Sequence, residues 1–106
     1  KTMKKDPIIY FAKDSNERLA VPASKFLGID PATATQLQIS FKDLDASADG
    51  AVVVLNIDSS STIKQACEVL AGALYGQSRG LTIVADTENS NFMYPFVSVD
   101  SITSAL

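Results

Sequence analysis

The chain has 106 residues, of which 46% are hydrophobic and 20% charged, and its formal net charge is −3 at pH 7. This length and this balance predict a single globular domain over residues 1–106 and argue against disorder. Two observations argue against nucleic acid as a partner. The net charge is acidic, and the basic residues are scattered apart from Lys1, Lys4 and Lys5.

The apolar segments predict neither a membrane helix nor a secretory signal. No apolar run approaches the about 20 residues that a membrane-spanning helix needs. The short apolar run at residues 8–12 does not suffice for a signal peptide, and the one cysteine, Cys67, cannot form a disulfide within the chain. We expect a cytoplasmic protein, or one assembled into a particle there, with no membrane partner.

The first elements predicted are a hairpin and two turns. Residues 8–12 are rich in β-branched and aromatic side chains and predict a strand, and residues 19–21 predict a short returning strand that ends at Pro22. Residues 23–29 predict one helical turn, and residues 30–33 predict a further turn.

A second hairpin is predicted from two longer apolar patterns. Residues 37–42 alternate between apolar and polar side chains, so Leu37, Ile39 and Phe41 are expected to face a core. Residues 51–57 are apolar on both faces until Asn56 and predict a strand near the centre of a sheet or at an interface. A short loop that contains glycine joins the two strands, as in a β-hairpin.

One helix is predicted, beginning near Thr62. Thr62 and Gln65 have the spacing of a capping box, and Gly76 or Gly80 is expected to end the helix. Five apolar residues fall on one helical face: Ile63, Ala66, Cys67, Leu70 and Leu74.

The last segment predicts a third hairpin and completes the fold class. Residues 81–85 predict a strand, residues 87–91 a turn, and residues 92–99 a final strand that is broken or bulged at Pro95. The order ββ-ββ-α-ββ predicts an α+β fold of about six mainly antiparallel strands, as a sandwich or partly open barrel with one covering helix. One helix cannot cover both sheet faces, so part of the sheet is expected to lack a cover within the chain.

Residue types that carry common chemistry are missing. The chain has no histidine, a single cysteine and no glycine-rich phosphate loop, which removes histidine-based catalysis, cysteine-based metal sites and nucleotide motifs. The sequence therefore predicts no catalytic, cofactor-binding or metal-binding residues, and a protein that is not an enzyme.

Four weaker patterns have structural and functional alternatives. Cys67 is interpreted as a buried apolar residue, against a reactive thiol beside Lys64. The acidic segment at 43–50 is interpreted as a loop, against a weak cation site, because the EF-hand spacing fails. The small residues 71–73 indicate close packing on the chain's own sheet or on another subunit. A polar and aromatic group indicates core or interface packing, against stacking of a base or sugar: Asn89, Asn91, Phe92, Tyr94 and Phe96.

Three segments resemble small uncharacterised proteins of tailed marine phages: residues 8–12, 19–29 and 81–86. The resemblance is one of layout over most of the chain. It implies a role in a virion or its assembly, with other virion or assembly proteins as partners, and it carries over no active site.

Homo-oligomerisation is the function that these observations favour. Val52 and Val54 alternate with Val53, Leu55 and Ile57, so if one set faces the helix the other needs a second partner. We expect a structural or interaction module that acts through homo-oligomer surfaces. The alternative is a small-ligand-binding domain or a carboxylate-based enzyme, and it requires a pocket that joins at least two of three aspartates: Asp58, Asp86 and Asp100.

Overall fold

The computed structural model describes residues 7–42, 50–75 and 81–103. These ranges contain eight strands, one α-helix and a short 3-10 turn at Ala23–Lys25. In chain order the elements are β1 (Ile8–Ala12), β2 (Arg18–Pro22), β3 (Phe26–Thr33), β4 (Gln36–Phe41), β5 (Ala51–Ile57), α1 (Ile63–Tyr75), β6 (Leu81–Asp86), β7 (Asn91–Phe92) and β8 (Phe96–Thr103).

The first sheet, sheet A, has the strand order β2-β1-β6-β7. The predicted hairpin of β1 and β2 is confirmed, with Tyr10 opposite Ala20. Strand β6 joins the other side of β1 in parallel orientation, and the two-residue β7 pairs antiparallel with β6. The sheet is therefore mixed, because β6 returns to β1 after the chain has passed through the second sheet and the helix.

The second sheet, sheet B, is antiparallel throughout and has the order β3-β4-β5-β8. The predicted hairpin of β4 and β5 is confirmed, with Leu37 opposite Leu55. Strand β5 is an inner strand, as its apolar sequence predicts. Its residues alternate between buried and half-buried positions, so one face points into the core and the other points outward.

One hydrophobic core joins the two sheets. Phe11 of β1 and Phe41 of β4 lie with their ring centroids 5.8 Å apart, and Phe26 packs edge-on against Phe41. The same core contains buried aliphatic side chains of both sheets and of α1. The α+β class is thus confirmed. The described residues form eight strands in two sheets, where the sequence predicts about six strands in a sandwich or partly open barrel.

The helix begins where the capping pattern predicts. The Thr62 hydroxyl accepts a hydrogen bond from the Gln65 amide at 3.1 Å, which satisfies an amide that the first turn leaves unpaired. The face that points inward carries Ala66, Leu70, Ala73 and Leu74, all buried. The predicted end at Gly76 or Gly80 lies outside the described residues.

The prediction that the small residues 71–73 pack closely on the chain's own sheet is wrong for Gly72. This residue is exposed, and no atom lies within 4 Å of a Cβ built on it. Its neighbour Ala73 is buried in the core. The helix therefore approaches the core along one edge of the small segment only.

The predictions for residues 23–33 are wrong in two respects. The helical turn is limited to Ala23–Lys25, and the strand β3 runs from Phe26 through the predicted turn at 30–33. The reason is the position of β3 at the edge of sheet B, where Pro31 removes no hydrogen bond from the sheet interior. Its partner β4 holds it extended despite weak strand propensity.

The final segment also differs from the predicted hairpin. The chain forms β7 in sheet A, turns at the cis Tyr94–Pro95 peptide bond, and enters sheet B as β8. Asn56 of β5 lies opposite Ser98 of β8. Pro95 therefore marks a crossing from one sheet to the other rather than a bulge within one strand.

Candidate functional site

The three aspartates proposed as a carboxylate site occupy separate structural positions. Asp58 follows β5, Asp86 ends β6, and Asp100 is exposed on β8. Within residues 7–42, 50–75 and 81–103, no three acidic or cysteine side chains are grouped as metal ligands. The structure gives Asp58 and Asp86 individual roles in turns.

Asp58 organises the turn that leads into α1. Its carboxylate accepts hydrogen bonds from the amide and the hydroxyl of Ser60, both at 3.1 Å. These bonds, from the amide first, stabilise the charged form and lower the pKa of Asp58 below its ordinary value of 3.8. Nearby, the Ser61 hydroxyl donates to Tyr94 at 3.0 Å, which ties this turn to the segment before β8.

Asp86 organises the turn between β6 and β7. Its side chain is 3% exposed and accepts two hydrogen bonds from Asn89, one from the amide at 3.1 Å and one from the side chain at 2.8 Å. A buried carboxylate requires such partners. Both of its oxygens are thus occupied within the turn.

The remaining sequence candidates are dispersed. Cys67 is half-buried where the sequence predicts a buried residue, and it packs against the core. In the polar and aromatic group, Phe96 is buried whereas Tyr94 is exposed, so these rings do not share one surface. The acidic segment lies outside the described residues, apart from Gly50.

Sheet B presents an outward surface, which we call the outer face. Its twelve residues form three rows of directly paired positions across the four strands, and paired residues point to the same side of a sheet. The rows are Gly28, Ser40, Val52 and Thr103; Asp30, Gln38, Val54 and Ser101; and Thr33, Gln36, Asn56 and Ser98.

The outer face is left to solvent in the described part of the chain. None of its twelve residues is buried. Val52 and Val54 lie half-buried at its centre, and a chain of side-chain hydrogen bonds runs along its third row. In that row Gln36 donates to Asn56 at 3.0 Å, and Asn56 donates to Ser98 at 2.8 Å.

Charge is scarce on the outer face. Asp30, on the edge strand, is the single charged residue among its twelve positions, in a chain that is 20% charged. Depletion of charge is typical of the centres of protein interfaces, and it is unusual for a surface that only meets water.

The two edges of sheet B differ in how their backbone groups are satisfied. On β8, the Val99 amide donates to the Thr87 hydroxyl at 2.9 Å, and the Ile102 amide donates to Glu17 at 3.2 Å. Register shifts occur on both edge strands, β8 and β3, so these side-chain hydrogen bonds are what distinguishes the two edges. Side chains from the loops of sheet A therefore close the β8 edge against further strands.

The opposite edge, β3, is more open. It is eight residues long, and Leu27 on it is 64% exposed. Sequence patterns did not identify this strand, because its glycine, aspartate and proline are typical of turns. The outer positions of β4 and β5 could be found from their alternation, but their neighbours on β3 and β8 required the sheet order.

Comparisons with known proteins give no relative for this chain. No family model, no curated protein and no solved structure matches it. Among the described helices, none has the length and apolar character to cross a membrane.

Proposed function

We propose that the chain is a non-enzymatic structural or interaction module that associates with copies of itself through sheet B. The observation that carries this proposal is the outer face, which the described residues leave uncovered and which is poor in charge and centred on Val52 and Val54. The sandwich covers the inward set of β5 side chains, so the outward set is what remains for a partner. The sequence predicts that part of the sheet lacks a cover within the chain, and the outer face of sheet B is the surface that we propose for that part.

The dimensions of the outer face limit what it can do alone. Four strands at about 4.8 Å spacing and three rows at about 6.7 Å give a projected area of about 400 Å². Standard protein interfaces bury about 800 Å² on each partner. Association through sheet B therefore needs the edge of the sheet or a larger assembly in addition to one isolated face.

The layout resemblance to small proteins of tailed marine phages supports a virion or its assembly as the setting. Many copies of one small chain associate in such particles, and other assembly proteins would then be further partners. The alternative of a small-ligand site or carboxylate-based enzyme has less support, because turn residues already donate hydrogen bonds to one oxygen of Asp58 and to both oxygens of Asp86.

Analytical ultracentrifugation tests this proposal. Over total concentrations from about 1 to about 100 µM, where micromolar association is detected, the average mass is expected to rise from 11.3 kDa towards twice that value. The rise is expected to persist in added salt, because sheet B offers few charges to screen. A mass of 11.3 kDa at every concentration would contradict self-association.

A further inference from the structure

The backbone groups of β3 divide into two sets. Residues in an antiparallel strand alternately direct their N–H and C=O groups to one side and then to the other. The Lys42 amide donates to the Lys25 carbonyl at 2.6 Å, so Lys42 and the alternate residues before it, Ser40 and Gln38, face β3. Their partners Gly28 and Asp30 consequently face β4.

Ile29 and Pro31 therefore direct their backbone groups away from sheet B. The hydrogen bond from the Ile57 amide to the Thr35 carbonyl supports this assignment, because it places Thr35 and its alternate residues towards β5. Proline has no N–H to leave unpaired. The outward edge thus presents the amide and carbonyl of Ile29 and the carbonyl of Pro31.

We infer that two copies pair β3 with β3 in antiparallel orientation, about a two-fold axis at Ile29. This inference rests on the proposed self-association and assigns the contact between two copies to the β3 edge of sheet B, with the outer faces side by side and not buried. The Ile29 amide of each copy donates to the Ile29 carbonyl of the other. The two copies of sheet B then form one continuous eight-stranded sheet, and their outer faces become a single surface of about 800 Å² by the same strand spacings.

The charges and the free space along β3 favour a second copy in this register. Asp30 of one copy lies opposite Gly28 of the other, so the two carboxylates do not face each other across the strand pair. No atom lies within 4 Å of a Cβ built on Gly28, which leaves room for the neighbouring Asp30. Leu27, which is 64% exposed, lies beside this strand pair at the register shift between Phe26 and Gly28.

A pair of cysteines tests the register directly. In a Cys67→Ser background, the double variant Gly28→Cys, Asp30→Cys places the two thiols of different copies at a non-hydrogen-bonded pair, with Cα atoms about 4.5 Å apart. This distance is within the range of a disulfide. Both positions have room for the new side chains, since Gly28 is open and Asp30 is exposed.

The expected result is a disulfide-linked dimer on mild oxidation, reversed by a thiol reductant. Each single variant is expected to cross-link much more slowly, because like positions of the two copies are about 8 Å apart diagonally. The matched control is Ser101→Cys with Thr103→Cys on the closed β8 edge, which is expected to form no intermolecular disulfide under the same oxidation.

The outcomes separate this inference from the proposed function. Rapid cross-linking of the double variant alone supports the register. If sedimentation shows dimers and the double variant links no faster than the single variants, the β3 pairing is wrong while self-association stands. The Val54→Lys variant tests the outer face as the other possible contact surface. If the β3 edges pair, the mass that sedimentation measures for this variant equals that of the unchanged protein. Loss of the dimer in this variant overturns edge pairing in favour of packing between outer faces. A monomer throughout overturns both proposals.

Discussion

Replacing Phe41 with alanine is expected to lower the free energy of unfolding by about 3–5 kcal/mol, the usual cost of emptying an aromatic site in a core. Phe41 is 1% exposed and contacts Phe11 of the opposite sheet and Phe26 of the neighbouring strand. The substitution removes one of the side chains that hold the two sheets together. Urea denaturation followed by circular dichroism measures the change.

Tyr75→Ala provides the matched control for this substitution. Tyr75 is 74% exposed, so removing its ring is expected to change the free energy of unfolding by at most about 0.5 kcal/mol. Because small domains are stable by about 5–15 kcal/mol, Phe41→Leu supplies a milder variant if the alanine protein does not fold. A loss below about 1 kcal/mol in Phe41→Ala would contradict the sandwich core.

Replacing Asp86 with alanine is expected to lower the free energy of unfolding by about 1.5–3 kcal/mol, since hydrogen bonds to a charged group contribute more than neutral ones. The buried carboxylate holds the Asn89 amide and side chain, and the adjoining Thr87 caps the β8 edge. The loss of the turn anchor therefore affects both sheets.

Asp100→Ala and a double-mutant cycle complete this test. Asp100 is exposed, and its replacement is expected to be nearly neutral. In the cycle, the losses of unfolding free energy in Asp86→Ala and Asn89→Ala are expected to be less than additive, because each substitution removes the same hydrogen bond between the two side chains. Additive effects, or an Asp86→Ala protein as stable as Asp100→Ala, would show that the turn does not depend on this carboxylate.

Local patterns predicted the elements in which the order of apolar and polar side chains matches the order of buried and exposed positions. Strand β5 and helix α1 alternate between buried and half-buried or exposed positions at the strand and helical periods, so their positions follow from hydrophobicity alone. The hairpins at β1–β2 and β4–β5 join neighbouring strands through short connections. In these segments the sequence and the tertiary environment favour the same structure.

Strand β3 could not be predicted in this way. Among the described strands it pairs with β4 alone, and its residues from Asp30 onward are exposed. No alternation of apolar residues therefore marks it. Gly28, Asp30 and Pro31 indicate turns in isolation. Pairing with β4 determines its extended structure, which is a tertiary effect that a local pattern does not contain.

The partition of strands between two sheets was also beyond local patterns. The parallel pairing of β1 with β6 joins segments about 70 residues apart, and β8 pairs with β5 rather than with its predecessor in the chain. The alternation in β5 predicts two sets on opposite faces without saying which faces the core, and the structure buries Val53, Leu55 and Ile57. The neighbours of the outward set on the outer face, such as Ser98 and Ser101, depend on that long-range order.

Hydrogen exchange at the Ile29 amide tests the central claim, self-association through the β3 edge, without any substitution. The Ile29 amide faces away from β4, so exchange is expected to be fast in the dilute protein and several-fold slower at concentrations where dimers form. The Val99 amide, which Thr87 already satisfies within one copy, is expected to exchange at the same rate throughout. Exchange at Ile29 that stays independent of concentration, in samples that sedimentation shows to be dimeric, would contradict the account.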